Sequence, residues 1–164
     1  MILLVMGTTG AGKTTVGKLL AARLNWPFLD ADDFHPPANI EKMKHGIPLT
    51  DADRAPWLAS MHAELQRLTA EGKSAVLACS ALKQSYRDTL SAGLDCRVIY
   101  LRGTYAQMRQ HILARHGHFA GEAILAGQFA DLEEPADALV LDVAATPGGL
   151  VDAAISRLGL QAQG

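Results

Sequence analysis

Cys79 and Cys96 are the only cysteines in this 164-residue chain, too few for a disulfide framework. Cys79 closes an apolar run, where a buried thiol packs as a small hydrophobe, and both thiols are read as structural. None of the six histidines falls in an HExxH pattern or in a Cys/His cluster with zinc spacing, which argues against a structural metal. No block of Lys or Arg occurs and the net charge is −2, so nothing marks a nucleic-acid surface. Nothing approaches 18 consecutive apolar residues, and the opening hydrophobic run lacks the basic flank of a signal peptide. A soluble, cytoplasmic protein that engages neither membrane nor nucleic acid is expected. No linker is visible, so residues 1–164 are expected to form one domain.

What is present begins with GTTGAGKT, Gly7 to Thr14, which fits GxxxxGK[ST]. It follows Ile2-Leu3-Leu4-Val5-Met6, an uninterrupted apolar run that reads as a strand buried on both faces. It precedes Val16, Leu19, Leu20 and Leu24, whose steps of three and four predict an amphipathic helix over Thr14 to Leu24, with Lys18 and Arg23 outward. Gly7, Gly10 and Gly12 permit turn conformations that aim successive amides at one centre, and the helix N-terminus adds partial positive charge. Such a nest holds polyphosphate. Lys13 is placed to reach the β- and γ-phosphates and the Thr14 hydroxyl to ligate Mg²⁺. Thr15 is expected to cap or pack.

Further apolar runs at Pro27 to Leu29, Ala75 to Ala78, Val98 to Leu101 and Leu139 to Val143 make five candidate strands. Helical patterns lie between them: Trp57, Met61, Leu65 and Leu68; Leu82 to Leu90; Tyr105 to Leu113; and Leu150 to Leu158. This alternation predicts an α/β fold, a parallel sheet covered on both faces. Ligands then bind beyond the C-terminal strand ends.

Asp30, Asp32 and Asp33 follow the second strand. Carboxylates so close repel, which makes sense if a cation or a hydroxyl substrate occupies the space between them. In an extended segment Asp30 and Asp32 point the same way, one toward the Mg²⁺ water shell, the other toward an attacking hydroxyl. The alternative is an acidic loop that caps a helix, the better reading for Asp33. After the third strand, Ser80 either caps a helix or bonds a ligand hydroxyl. Lys83 and Arg87, four apart, share a helical face and are either two solvated charges or partners of an anion. The segment Arg115-His116-Gly117-His118-Phe119-Ala120-Gly121 reads as a surface loop or as a flap whose arginine closes over phosphates and excludes water.

The stretch DADDFHPPANIEKMKHGIPLTDADRAPWL from Asp30 to Leu58, with CSALKQSYRD at Cys79 to Asp88 and ARHGHF at Ala114 to Phe119, resembles the gluconate kinase family. The resemblance spans nearly the whole chain, in order. It implies a three-layer P-loop kinase fold of the nucleoside-monophosphate-kinase type, with a substrate-binding insert at about 33–72 and a lid at about 115–124. It also implies transfer of the ATP γ-phosphoryl group to the 6-hydroxyl of D-gluconate, with Mg²⁺, in a homodimer. Carried onto this chain, Gly7, Thr8, Thr9, Gly10, Ala11, Gly12, Lys13, Thr14 and Thr15 form the nucleotide loop. Asp32 is the hydroxyl partner and base, with Lys13 and Arg115 the other catalytic groups. Asp30 joins Thr14 in the Mg²⁺ environment. His35, Arg54, Ser80, Lys83 and Arg87 line the sugar-acid pocket, where an arginine suits a carboxylate. The turn from Thr146 through Pro147 to Gly148 packs on adenine, and Arg115 is the lid arginine.

Alternatives stay open for several residues. The alternative for Arg54 is a surface pair with Asp51 or Asp53, where Thr50 is expected to cap a helix with Pro56 in its first turn. Lys42 and Lys44 read as a solvated helix face and Trp57 as core. His118 either bonds a phosphate or shapes the lid. Competing functions are another small-molecule kinase of this fold, acting on shikimate or a nucleotide, and an ATP-binding switch without turnover. No NKxD-like segment for reading guanine precedes the final helix.

Overall fold

The computed structural model describes residues 1–116 and 121–163, with the His116 side chain left aside. The chain runs β1 (Ile2–Met6), α1 (Lys13–Leu24), β2 (Phe28–Asp30), a short 3₁₀ turn (Ala31–Phe34), α2 (Pro37–Lys44), α3 (Asp51–Ala70), β3 (Ala75–Ala78) and α4 (Gln84–Ser91). It continues through β4 (Cys96–Arg102), α5 (Tyr105–His116), α6 (Glu122–Asp131), β5 (Leu139–Asp142) and α7 (Pro147–Arg157). The strands form one parallel sheet in the order β2-β3-β1-β4-β5.

Because side chains alternate along a strand, β1 feeds two cores. Leu3 and Val5 join Val16 and Leu20 of α1, Met108 and Ile112 of α5, Leu125 of α6 and Leu150 and Val151 of α7 on one face. Ile2, Leu4 and Met6 join Trp57, Met61 and Leu65 of α3 and Tyr86 and Leu90 of α4 on the other. That double burial is why the run carries no polar residue. The strands β1 and β3 are neighbours, yet α1 and α4, which follow them, cover opposite faces. A crevice opens between their C-terminal ends.

All five expected strands exist, β1 and β3 with the expected ends and the other three with shifted ones. β2 starts one residue later than its apolar run and so carries Asp30 as its last residue. The expected extended path from Asp30 to Asp32 is corrected: the chain turns into 3₁₀ geometry at Ala31, with the Asp30 carboxylate accepting the Asp32 amide at 3.0 Å. Helix α3 has a capping box, Thr50 and Asp53 each bonding the other's amide. Pro56 sits in its second turn, not its first, and the helix continues through it. Helix α6 has no counterpart in the sequence patterning, and α2 only the helix face read at Lys42 and Lys44. Each buries a single residue, Asn39 and Leu125, so neither carries an apolar stripe.

Candidate active site

The loop after β1 is shaped by its glycines. Gly10 has φ +85° and a Cβ there would lie 2.7 Å from the Met108 carbonyl oxygen of α5, so only hydrogen fits. Gly12, at φ +88°, caps α1 in the left-handed region. Buried Thr8 and Ala11 anchor the loop, and the Thr8 carbonyl accepts the Lys13 ammonium at 3.0 Å. Burial holds the Lys13 pKa below that of an ordinary lysine, while Cys79, Asp32 and Asp30 pull it upward. Thr14 donates from its hydroxyl to the Asp30 carboxylate at 3.0 Å.

A cavity of about 370 Å³ lies over this loop. Thr9, Gly10, Gly12, Lys13, Thr14 and Thr15 line it, as do Asp30, Asp32, His35, Arg54, Ser80 and Arg115. Thr15, expected to cap or pack, is instead an exposed side chain on this wall. The His35 ring stacks on Trp57 with centroids 4.4 Å apart and planes 9° from parallel. Trp57, whose indole donates to the Ala31 carbonyl at 2.7 Å, is both core residue and cavity floor. Burial lowers the His35 pKa, Asp32 opposes and Arg54 adds to the lowering. Burial pushes the Cys79 thiol up to about 12, so although it lines the cavity it is no nucleophile.

Several expected site residues stand elsewhere. Arg87 is 3% exposed and turned into the protein. Its guanidinium donates to the carbonyls of Ala81, Leu82 and Glu133, at 2.7, 3.0 and 2.7 Å. Three carbonyls satisfy the cation, and it holds the β3–α4 turn in which Ala81 takes φ 45°. Lys83 precedes α4 as its N-cap, so it shares no helical face with Arg87, and it pairs with Asp51 at 3.1 Å. Neither Lys83 nor Arg87 lines the cavity. Gly7, Thr8 and Ala11 support the loop from behind, and Pro147 is the exposed first residue of α7, also off the cavity wall. Arg54 bonds the Tyr86 hydroxyl at 3.1 Å, whereas Asp53 takes Lys42 at 2.8 Å. Lys42 therefore ties α2 to α3 and is not simply solvated. Lys44 is exposed. His118 and residues 117–120 of the expected lid lie outside the described residues.

Two polar residues escaped the sequence reading. Gln128 of α6 lines the cavity, and its side-chain oxygen accepts the Thr9 amide at 2.6 Å. Asn39 of α2 is 2% exposed and donates to the Asp53 carbonyl at 2.9 Å, with His35 Nδ1 at 3.4 Å. Asn39 stands among Glu41, Lys42 and Lys44 in α2, and Gln128 between Glu122 and Asp131 in α6, so nothing in the sequence singles them out.

A glycine nest with its lysine and threonine, opening on two aspartates and an arginine at the strand ends of a parallel sheet, defines a P-loop kinase. The shikimate kinase family model matches residues 9–118. The gluconokinase of Gluconobacter oxydans (strain 621H) is 48% identical over 136 residues, 82% of this chain and 76% of that protein. The thermoresistant gluconokinase of Escherichia coli (strain K12) is 39% identical over 159 residues, 94% of this chain and 91% of that protein. Among solved structures, a gluconokinase from Sinorhizobium meliloti 1021 superposes with a TM-score of 0.87 at 38% identity, covering 96% of this chain and 90% of that one. The chain belongs to the gluconokinase family of P-loop kinases.

Proposed function

We propose that this protein transfers the γ-phosphoryl group of ATP to the 6-hydroxyl of D-gluconate, giving 6-phospho-D-gluconate. One observation carries the reading: a single cavity is lined both by the phosphate-loop residues Lys13 and Thr14 and by Asp32, His35 and Arg54. The first group suits a polyphosphate, and the second suits an acceptor bearing hydroxyls and a carboxylate. The names of the relatives point the same way.

In this reading the loop amides and Lys13 hold the phosphates and offset the charge that develops on them during transfer. Asp32 takes the proton of the attacking hydroxyl. Arg54 pairs with the carboxylate of the acid through two N–H bonds, which sets the far end of the chain toward Asp32. His35, held flat against Trp57, offers a hydrogen bond to a substrate hydroxyl, and Ser80 offers another. Arg115 covers the phosphates.

Mg²⁺ belongs to the proposal. The Thr14 hydroxyl and the Asp30 carboxylate, 3.0 Å apart, are hard oxygen donors of the kind that hold this ion. One hydroxyl and one carboxylate are too few for a cage made of protein alone, which fits a cation that arrives with its phosphates. When bound, the ion would neutralise phosphate charge. The adenine-packing role of Thr146 to Gly148, the homodimer and the cytoplasmic location rest on the family resemblance. No helix among the described residues is long and apolar enough to cross a membrane.

The match to the shikimate kinase family model favours shikimate as the second candidate acceptor. A coupled ADP-release assay with Mg-ATP across gluconate, other sugar acids, shikimate and nucleoside monophosphates tests the proposal. Turnover with gluconate well above the rest is expected. No ADP on adding gluconate would overturn it.

A further inference from the structure

The cavity wall that carries Arg54 is braced by a cluster that takes no part in phosphoryl transfer. Asp51 and Arg54 stand one turn apart at the start of α3, and Tyr86 of α4, 8% exposed, packs against them. The Arg54 guanidinium carbon lies 5.7 Å from the Tyr86 ring centroid, and Nη1 donates to the Tyr86 hydroxyl at 3.1 Å. That hydroxyl in turn donates to the Asp51 carboxylate. Lys83 donates to the same carboxylate at 3.1 Å, with its ammonium 5.6 Å from the Tyr86 ring centroid. One aromatic ring thus carries two cations, and one carboxylate closes the network.

The direction of the bonds matters. A tyrosine hydroxyl has a single proton, and here it goes to Asp51. Its lone pairs therefore face Arg54 as an acceptor, and the bond to a carboxylate strengthens that acceptor. One of the five guanidinium N–H groups is used, and the rest stay available to a ligand. The asymmetry also explains why Lys83 and Arg54, both expected to meet the substrate, part company: Lys83 is spent on Asp51, while Arg54 lines the cavity.

We propose that Tyr86 is the positioning residue for Arg54. Its ring sets the plane of the guanidinium and its hydroxyl, oriented by Asp51, fixes the rotation, so that the remaining N–H pair is presented to the carboxylate of the acceptor. This rests on the reading of Arg54 as the carboxylate anchor. Without the hydroxyl, Arg54 loses rotamer freedom on every binding event, and the defect falls on acceptor affinity.

The test is steady-state kinetics on the full chain with Tyr86→Phe, which keeps the ring and removes the relay. The KM for gluconate should rise roughly fivefold to tenfold, as for one lost hydrogen bond of ordinary strength, with kcat and the KM for ATP within about twofold. Asp51→Asn should raise the same KM less. Combined with Arg54→Lys, Tyr86→Phe should add little, because both act through one contact. An unchanged gluconate KM in Tyr86→Phe, when Arg54→Lys raises it, overturns the positioning role and leaves the anchor standing. An unchanged KM in Arg54→Lys removes the anchor and this inference with it. Effects of the two substitutions that multiply, or a fall in kcat together with a rise in both KM values, mark Tyr86 as merely structural and also overturn it. If Tyr86→Phe does not fold, Asp51→Asn decides by the same outcomes.

Discussion

The backbone amide of Thr9, inside the phosphate loop, donates to the side-chain oxygen of Gln128 at 2.6 Å. A glutamine from α6 thereby satisfies a donor that the loop geometry otherwise turns toward a phosphate oxygen. Replacing Gln128 with Ala leaves that amide unsatisfied in the free protein and free for the nucleotide. ATP should then bind more tightly, by roughly threefold to fivefold, the worth of one ordinary hydrogen bond. Gln128→Glu, which sets a carboxylate against phosphates, should weaken binding by on the order of tenfold. Calorimetric titration with Mg-ATP reads both. Weaker binding in Gln128→Ala would mean that the glutamine holds the loop in shape and does not compete for it.

Asp32→Asn separates base chemistry from binding. The amide keeps the shape of the side chain but cannot take a proton, so kcat should fall by roughly 10²- to 10⁴-fold while ATP affinity is kept. ADP release and nucleotide titration on the same preparation check this. Unchanged turnover would remove Asp32 from its role, and unaltered nucleotide binding without any turnover in the parent protein would favour a switch over an enzyme.

Where a helix buries a stripe, the sequence reveals it; where it buries one residue, it does not. The Trp57, Met61, Leu65 pattern located α3, and the unbroken Ile2 to Met6 run located the central strand, because each pattern is the imprint of a core cluster. Helices α2 and α6 each bury one residue and so carry no apolar stripe, and their residues Asn39 and Gln128 came to light only in three dimensions. Arg87 illustrates the other limit. Its spacing from Lys83 looks like a surface pair, and nothing in the local sequence says that the chain returns at Glu133 to offer a third carbonyl. The glycine loop was legible because its chemistry is local, whereas the Arg54 side depends on contacts between α3 and α4.

Arg87→Met tests the corrected role. It leaves the carbonyls of Ala81, Leu82 and Glu133 without their donor in a buried setting, which should lower stability by about 3 kcal/mol and the melting temperature by several degrees. Arg87→Lys should recover little, because a compact ammonium cannot span three carbonyls. Thermal melts followed by circular dichroism read the effect. A normal melting temperature with a raised KM for gluconate would return Arg87 to the substrate pocket.

Acid should act partly through Asp53. Its bonds to Lys42 and to the Thr50 amide hold its pKa down to about 2, below the 3.8 of a free aspartate. A carboxyl with a depressed folded pKa contributes stability that is present above its unfolded pKa and lost as pH falls toward the folded value. The contribution should therefore fade between about pH 4 and pH 2. Asp53→Asn should lower the melting temperature at pH 7 and flatten its fall across that window. Parallel acid limbs for the two proteins would show that the capping box carries no pH dependence.

Gly10 and Gly12 share a left-handed backbone but differ in their surroundings, which makes them a controlled pair. At Gly12 a Cβ meets nothing within 4 Å, so Gly12→Ala bears only the conformational penalty, roughly 1–2 kcal/mol. At Gly10 the same Cβ lies 2.7 Å from the Met108 carbonyl oxygen and 3.1 Å from Ile112, so Gly10→Ala must also push the loop away from α5. That displacement moves the amides of the phosphate nest. Gly12→Ala should weaken ATP by at most roughly thirtyfold, as that penalty allows, and Gly10→Ala should weaken it much further and lower the melting temperature as well. Nucleotide titration and thermal melts on both variants decide. Equal losses would mean that backbone conformation alone shapes the loop and that its contact with α5 contributes nothing to the nest.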